Sequence, residues 1–260
     1  MTLRSDCFKN ILKRENVFLW ILLAFQSGYI NAAGFIACHR FVSHMTGFGT
    51  QVGLSIGEGR LLMAFEMMLA PVSFILGCVL SGFLIDRRIF TGQEARVRTS
   101  SIIQCLLIII VYIGGTMDLF GEFGEPLELQ RDFILLFILC FMCGMQNATF
   151  TALTNGQIRT THLTGLSTDI GIHLVRDRYM DVSVEKRHEL DLINWLRIYT
   201  FASFFTGSAI SAIVMMIGEY QGFLLPVGTS LIIVFYVNYL MYHKEIRKDE
   251  NVVDQRKLQV

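Results

Sequence analysis

His44-Met45-Thr46-Gly47-Phe48-Gly49-Thr50-Gln51-Val52-Gly53 and His162-Leu163-Thr164-Gly165-Leu166-Ser167-Thr168-Asp169-Ile170-Gly171 are two copies of one pattern, 118 residues apart. His, Thr, Gly, Thr and Gly coincide between them. The stretches ahead of the copies echo each other more weakly, Phe25-Gln26-Ser27-Gly28 against Met145-Gln146-Asn147-Ala148, at a spacing of 120. Self-similarity at a fixed period assigns a whole architecture, so the chain reads as two related halves.

Outward from each copy the sequence is apolar. Of 260 residues 53% are hydrophobic and 17% charged, more greasy sequence than one soluble core uses. Apolar runs stand at Val17 to Ala37, Leu61 to Ile85, Ser100 to Met117, Phe133 to Leu153, Leu196 to Ile217 and Phe223 to Tyr242. Most approach the roughly 20 residues that cross a hydrocarbon layer as a helix. Lipid offers backbone groups no partners, so such runs must be helical, and their even hydrophobicity does not fit a barrel. The first run follows Arg4, Lys9, Lys13 and Arg14. It reads as an uncleaved helix and not a signal peptide, because five more spans follow.

Each half is then one span, a motif segment and two spans: repeat 1 over 17–119, repeat 2 over 131–242, and a cytoplasmic tail over 243–260 of a single membrane domain, 1–260. The motif cores, Gly47 to Gly57 and Gly165 to Val175, have a length that suits re-entrant pieces. If they do not cross, each half holds an odd number of spans and the second half is inverted. The expected fold is an all-α integral membrane protein of six transmembrane helices, two inverted 3+3 repeats, each with a short re-entrant half-helix carrying His-x-Thr-Gly.

Charge sets the orientation, because basic loops stay in the cytoplasm. With both termini inside, nineteen Lys and Arg are cytoplasmic and three, Arg40, Arg60 and Arg131, are outside. Eight crossings would make that sixteen and six. Net charge is zero, so no nucleic-acid partner is expected, and the basic tail reads as a topology anchor beside the lipid bilayer.

Inverted repeats with interrupted helices are how many secondary transporters build a midplane site. On a helix Thr46, Thr50, Gly53 and Gly57 share one face, repeated by Thr164, Thr168 and Gly171. Such a face either binds a ligand or packs tightly against another helix. Unpaired N–H groups at a helix start near Thr46 or Thr164, within the His44–Gly47 and His162–Gly165 segments, favour an anion. The expected substrate is therefore a small anionic or zwitterionic solute. Asp169 replaces Gln51 in the second copy and is the candidate ion-coupling group, since a carboxylate in hydrocarbon costs about 3 kcal/mol; the alternative is a solvated residue at the cytoplasmic mouth. His44 and His162 are candidates for proton exchange. The amides Gln26, Asn31, Gln146 and Asn147 need partners inside lipid and either line the same cavity or tie helices together.

The cysteines read as small hydrophobes. No phosphate-binding glycine loop, Gly-x-Ser-x-Gly or His-Glu-x-x-His is present, so neither an ATP-driven pump, a cofactor nor a metal is expected. Two other classes stay open: an intramembrane enzyme using His44, His162 and Asp169, and a non-catalytic subunit of a membrane complex. A homo-oligomer is compatible with each.

Gly28-Tyr29-Ile30-Asn31-Ala32-Ala33-Gly34-Phe35, Phe41-Val42-Ser43-His44-Met45-Thr46-Gly47, Gln146-Asn147-Ala148 and Arg159-Thr160-Thr161-His162-Leu163-Thr164-Gly165 resemble the YoaK family of bacterial membrane proteins, domain of unknown function 1275. The chain departs from it at Asn31, where the family commonly has Asp, and at Phe48, where it has Asn. The resemblance implies a bacterial inner-membrane protein and supplies no substrate.

Overall fold

The structure is a computed structural model, described over residues 14–125, 130–156, 163–179 and 183–257. All its elements there are helical: α1 (Arg14–Cys38), α2 (Met45–Gly57), α3 (Leu61–Ser81), a π-turn (Gly82–Asp86), α4 (Arg87–Phe90), α5 (Val97–Thr116), α6 (Gln130–Leu153), α7 (Leu163–Tyr179), α8 (Val184–Gly218), a 3₁₀ turn (Glu219–Phe223) and α9 (Leu224–Lys257). Backbone groups facing lipid must bond within their own segment, which is why the apolar runs appear as helices.

Five stretches are long and apolar enough to cross a membrane: Asn16–Cys38, Leu61–Phe90, Val97–Thr116, Phe133–Leu153 and Val184–Tyr242. The fifth and sixth expected runs fall in one stretch of 59 residues because α8, the 3₁₀ turn and α9 adjoin with no residue between them. The chain reverses inside it, at Glu219 with φ 47°. Val237 thereby returns to the cluster that holds Leu196.

Two apolar clusters set helix directions. Leu19, Trp20, Phe150, Leu196, Ile233 and Val237 form one. The larger one holds Tyr29, Ala33, Ala37, Val111, Phe133, Met215 and Phe223 among others. The start of α1 therefore lies beside the end of α6, and its end beside the start of α6. The two are antiparallel, with the Trp20 and Phe150 rings edge-on at 4.6 Å. By the same logic α1 runs parallel to α8, where Ser208 Oγ donates to the Gly28 carbonyl at 3.0 Å. Helix α3 runs parallel to α6, with the Ser81 and Thr149 hydroxyls 2.8 Å apart.

Those two parallel pairs meet through one device used twice. A side chain at Gly28 would overlap the Phe204 carbonyl, and one at Gly207 the Phe25 carbonyl. A side chain at Gly144 would overlap the Phe74 carbonyl, and one at Gly77 the Phe141 carbonyl. All four are Phe-x-x-Gly sequences. Without a Cβ, helix backbones approach closely enough for dispersion to hold them in lipid, where the hydrophobic effect cannot.

Candidate functional site

Past Cys38 the chain turns back. His39 takes φ 54°, Val42 packs where a side chain on Gly34 would lie, and Ser43 donates from its N–H (3.2 Å) and its hydroxyl (2.9 Å) to Asn31 Oδ1. Asn31 therefore ties the segment that follows α1 back onto that helix, two turns before its end. Helix α2 starts there, and the His44 side chain caps none of its N–H groups.

Helix α2 buries Phe48, Val52 and Ser55, which share the larger cluster's region with α3 residues such as Ala64 and Met67. The opposite face carries Thr46, Gly49, Thr50, Gly53 and Gly57, all exposed, and a Cβ at any of those three glycines would meet nothing within 4 Å. The Thr50 hydroxyl turns back on the Thr46 carbonyl, 3.2 Å away. On the inner side Arg40, His44, Gly47 and Gln51 border a small hollow.

Within the second copy, His162 lies outside the described residues. Thr164, Gly165, Thr168 and Gly171 fall on α7 and are exposed, Thr168 bonding the Thr164 carbonyl at 2.9 Å. Leu166 anchors α7 in the smaller cluster. Asp169, half exposed, pairs with Arg197 of α8 at 3.2 Å, and His173 sits 3.1 Å from Asp191. Helices α2 and α7 thus pack into different clusters, at opposite ends of the bundle, and His44 and Asp169 do not converge.

The amides divide. Asn147 leaves its buried Oδ1 without a partner among the described residues, and Asn31 holds Ser43. Gln26 and Gln146 come together with Gln104 of α5 around a cavity between α1, α5, α6 and α9. Gln26 Nε2 donates to the Pro226 carbonyl (3.2 Å), Thr229 Oγ1 (3.1 Å) and Ser230 Oγ (2.5 Å) of α9. Gln146 Nε2 donates to the Leu23 carbonyl at 3.2 Å. Gln104 Nε2 donates to Ser100 Oγ at 3.2 Å, and Ser100 shares Thr149 with Ser81. The cavity encloses about 450 Å³ of atom-free space out to its mouth, and about 20 Å³ of that admits the centre of a water-sized molecule.

Gln104, Thr149 and Ser230 are the functional candidates that the sequence reading passed over. Gln104 stands in an apolar run as Gln26 does, so the cost of an amide in hydrocarbon was a signal for it too. Hydroxyls give no such signal, because Ser and Thr in membrane helices are routinely satisfied by the carbonyl four residues back, as Ser27 is by Leu23 at 2.9 Å.

A family model described as "Protein of unknown function (DUF1275)" matches residues 19–236, from the first turns of α1 into α9. The chain belongs to the DUF1275 family. The match takes in all four cavity-lining helices and both motif helices of this DUF1275 protein. No curated protein and no solved structure matches it.

Proposed function

We propose that this DUF1275 protein is a secondary carrier of a small polar solute, built from two inverted three-span halves and working by alternating access. The bent stretch Val184–Tyr242 crosses twice, giving six crossings with both termini in the cytoplasm. Supporting the inversion, α1 and its counterpart α6 are antiparallel, and the Phe-x-x-Gly contacts are related pairwise. Phe25 and Gly28 match Phe141 and Gly144 at a spacing of 116, while Phe74 and Gly77 match Phe204 and Gly207 at a spacing of 130.

The observation that carries the reading is the cavity. Gln26, Gln104 and Gln146 are buried between spans one, three, four and six. In the opposite half the same helices are filled by the larger cluster, where the Tyr29 hydroxyl is pinned to the Gly222 carbonyl at 2.7 Å. A polar hollow in one half and a dry seal in the other is the asymmetry that rocking of inverted repeats exchanges. Buried carboxamides without such a use are costly at this depth.

A solute-library thermal-shift screen on the purified protein tests this. A solute that raises the melting temperature is expected to lose its effect in Gln146→Leu. Loss of the shift in Thr46→Val or Thr164→Val with retention in Gln146→Leu would move the site to the motif helices and sink the cavity reading.

A further inference from the structure

We infer that the cavity takes a small uncharged solute rich in N–H donors, of the urea and carboxamide class, and not the anion or zwitterion that free helix starts suggest; this rests on the carrier reading. Gln26, Gln104 and Gln146 are 3%, 8% and 2% exposed. Gln26 uses its amide nitrogen on three acceptors of α9, while Gln146 and Gln104 each use one N–H, on the Leu23 carbonyl and on Ser100 Oγ, and keep one. Among the described residues none of the three Oε1 atoms receives a hydrogen bond. Three carbonyl acceptors against two remaining N–H donors, on glutamines that line one cavity, favour a molecule that donates more hydrogen bonds than it accepts, as urea does.

Charge selects further. Among the described residues that line the cavity none is charged: Asp169 of α7 is paired with Arg197 of α8, and His44 and Arg40 border the hollow beside α2. Besides the hydroxyls of Ser101, Thr149 and Ser230, the remaining wall is apolar, with Leu19, Trp20 and Phe150. An ion there would forfeit hydration with only dipoles in return, whereas a neutral amide exchanges its water hydrogen bonds for those of the glutamines. Size sets a limit as well. About 20 Å³ of water-centre space fits one or two waters, so a solute of a few heavy atoms enters with only side-chain adjustment.

The full chain in proteoliposomes supplies the test. Entry of urea and acetamide is followed by stopped-flow light scattering, and entry of glycine, acetate and methylammonium by radiotracer. Urea and acetamide should cross faster than in bare liposomes, independently of an imposed membrane potential. Gln104→Leu should cut the protein-dependent rate about tenfold, one hydrogen bond's worth in the barrier, while Gln104→Asn retains part of it. Melting curves establish that both variants are folded. If glycine, acetate or methylammonium crosses and the two amides do not, the neutral class is wrong and the carrier stands. If nothing outpaces bare lipid with folded protein, the carrier reading falls with it.

Discussion

Gly28 and Gly144 have no room for a methyl group, because the carbonyls of Phe204 and Phe74 occupy that space. Neither obstruction is a side chain that can swing away, so Gly28→Ala must push two helix backbones apart. We expect a loss of about 1–3 kcal/mol, the usual cost of overpacking, and a similar loss for Gly144→Ala. Gly53→Ala is the contrast. Its space is open, and replacing a helical glycine by alanine gains up to about 1 kcal/mol. Melting of the three variants in detergent checks the order; equal effects at Gly28 and Gly53 would mean that the Phe-x-x-Gly contacts do not hold the bundle. Asn31 is a further single-residue test. Asn31→Ala removes the acceptor of both Ser43 bonds and should cost about 1–3 kcal/mol, while Asn31→Asp keeps that acceptor and should cost less. Proteolysis between Cys38 and Met45 should accelerate in the alanine variant alone.

Among the elements, the long apolar helices were legible in the sequence and the orientation of the short ones was not. Leu61 to Ile85 and Phe133 to Leu153 fall on α3 with its π-turn and on α6, because a backbone in lipid has no alternative to helix. The Thr46–Gly57 face had the right periodicity but no stated direction. In water an apolar face must turn inward; in lipid the tails are as apolar as a core, so Phe48 turned in and Gly53 out at no hydrophobic cost. Gln26 and Gln146 were legible for the opposite reason, since an amide is penalised anywhere in hydrocarbon. Their spacing of 120 misses the 116 that relates the backbone contacts of the same helices by one helical turn, so a short sequence echo need not mark structural equivalence. Asp169 shows the limit at element scale. Its depth depends on α7, which leans on α8 through the Asp169–Arg197 and His173–Asp191 pairs. A half-exposed pair contributes up to about 1 kcal/mol. We therefore expect Asp169→Asn to lower the melting temperature slightly and to leave the pH dependence of uptake unchanged. A flattened pH profile in that variant would restore Asp169 as a coupling group.

At the scale of the whole molecule, the proposed six crossings draw support from the two clusters and from the charge distribution by independent routes. The antiparallel relation of α1 and α6 requires an odd number of reversals between them. In the proposed arrangement α2 turns back, α3 and α5 supply the intervening crossings and α1 and α6 come out antiparallel; if α2 crossed, they would run parallel. That arrangement puts basic residues on one side with the exposed Gln93 loop and His188, and the exposed Glu58 and Glu122 on the other. Single cysteines at these four positions, in a chain with Cys7→Ser, separate the alternatives. A membrane-impermeant maleimide added to intact cells should label Glu58→Cys and Glu122→Cys and leave Gln93→Cys and His188→Cys untouched until the cells are opened. Eight crossings reverse the outcome at Glu58, Gln93 and Glu122, because a traversing α2 would carry its end to the cytoplasm. His188 reads inside either way and serves as the control. Labelling of Gln93→Cys from outside would remove the inverted relation of the halves, and with it the physical reason for one end of the cavity to be sealed while the other is hollow.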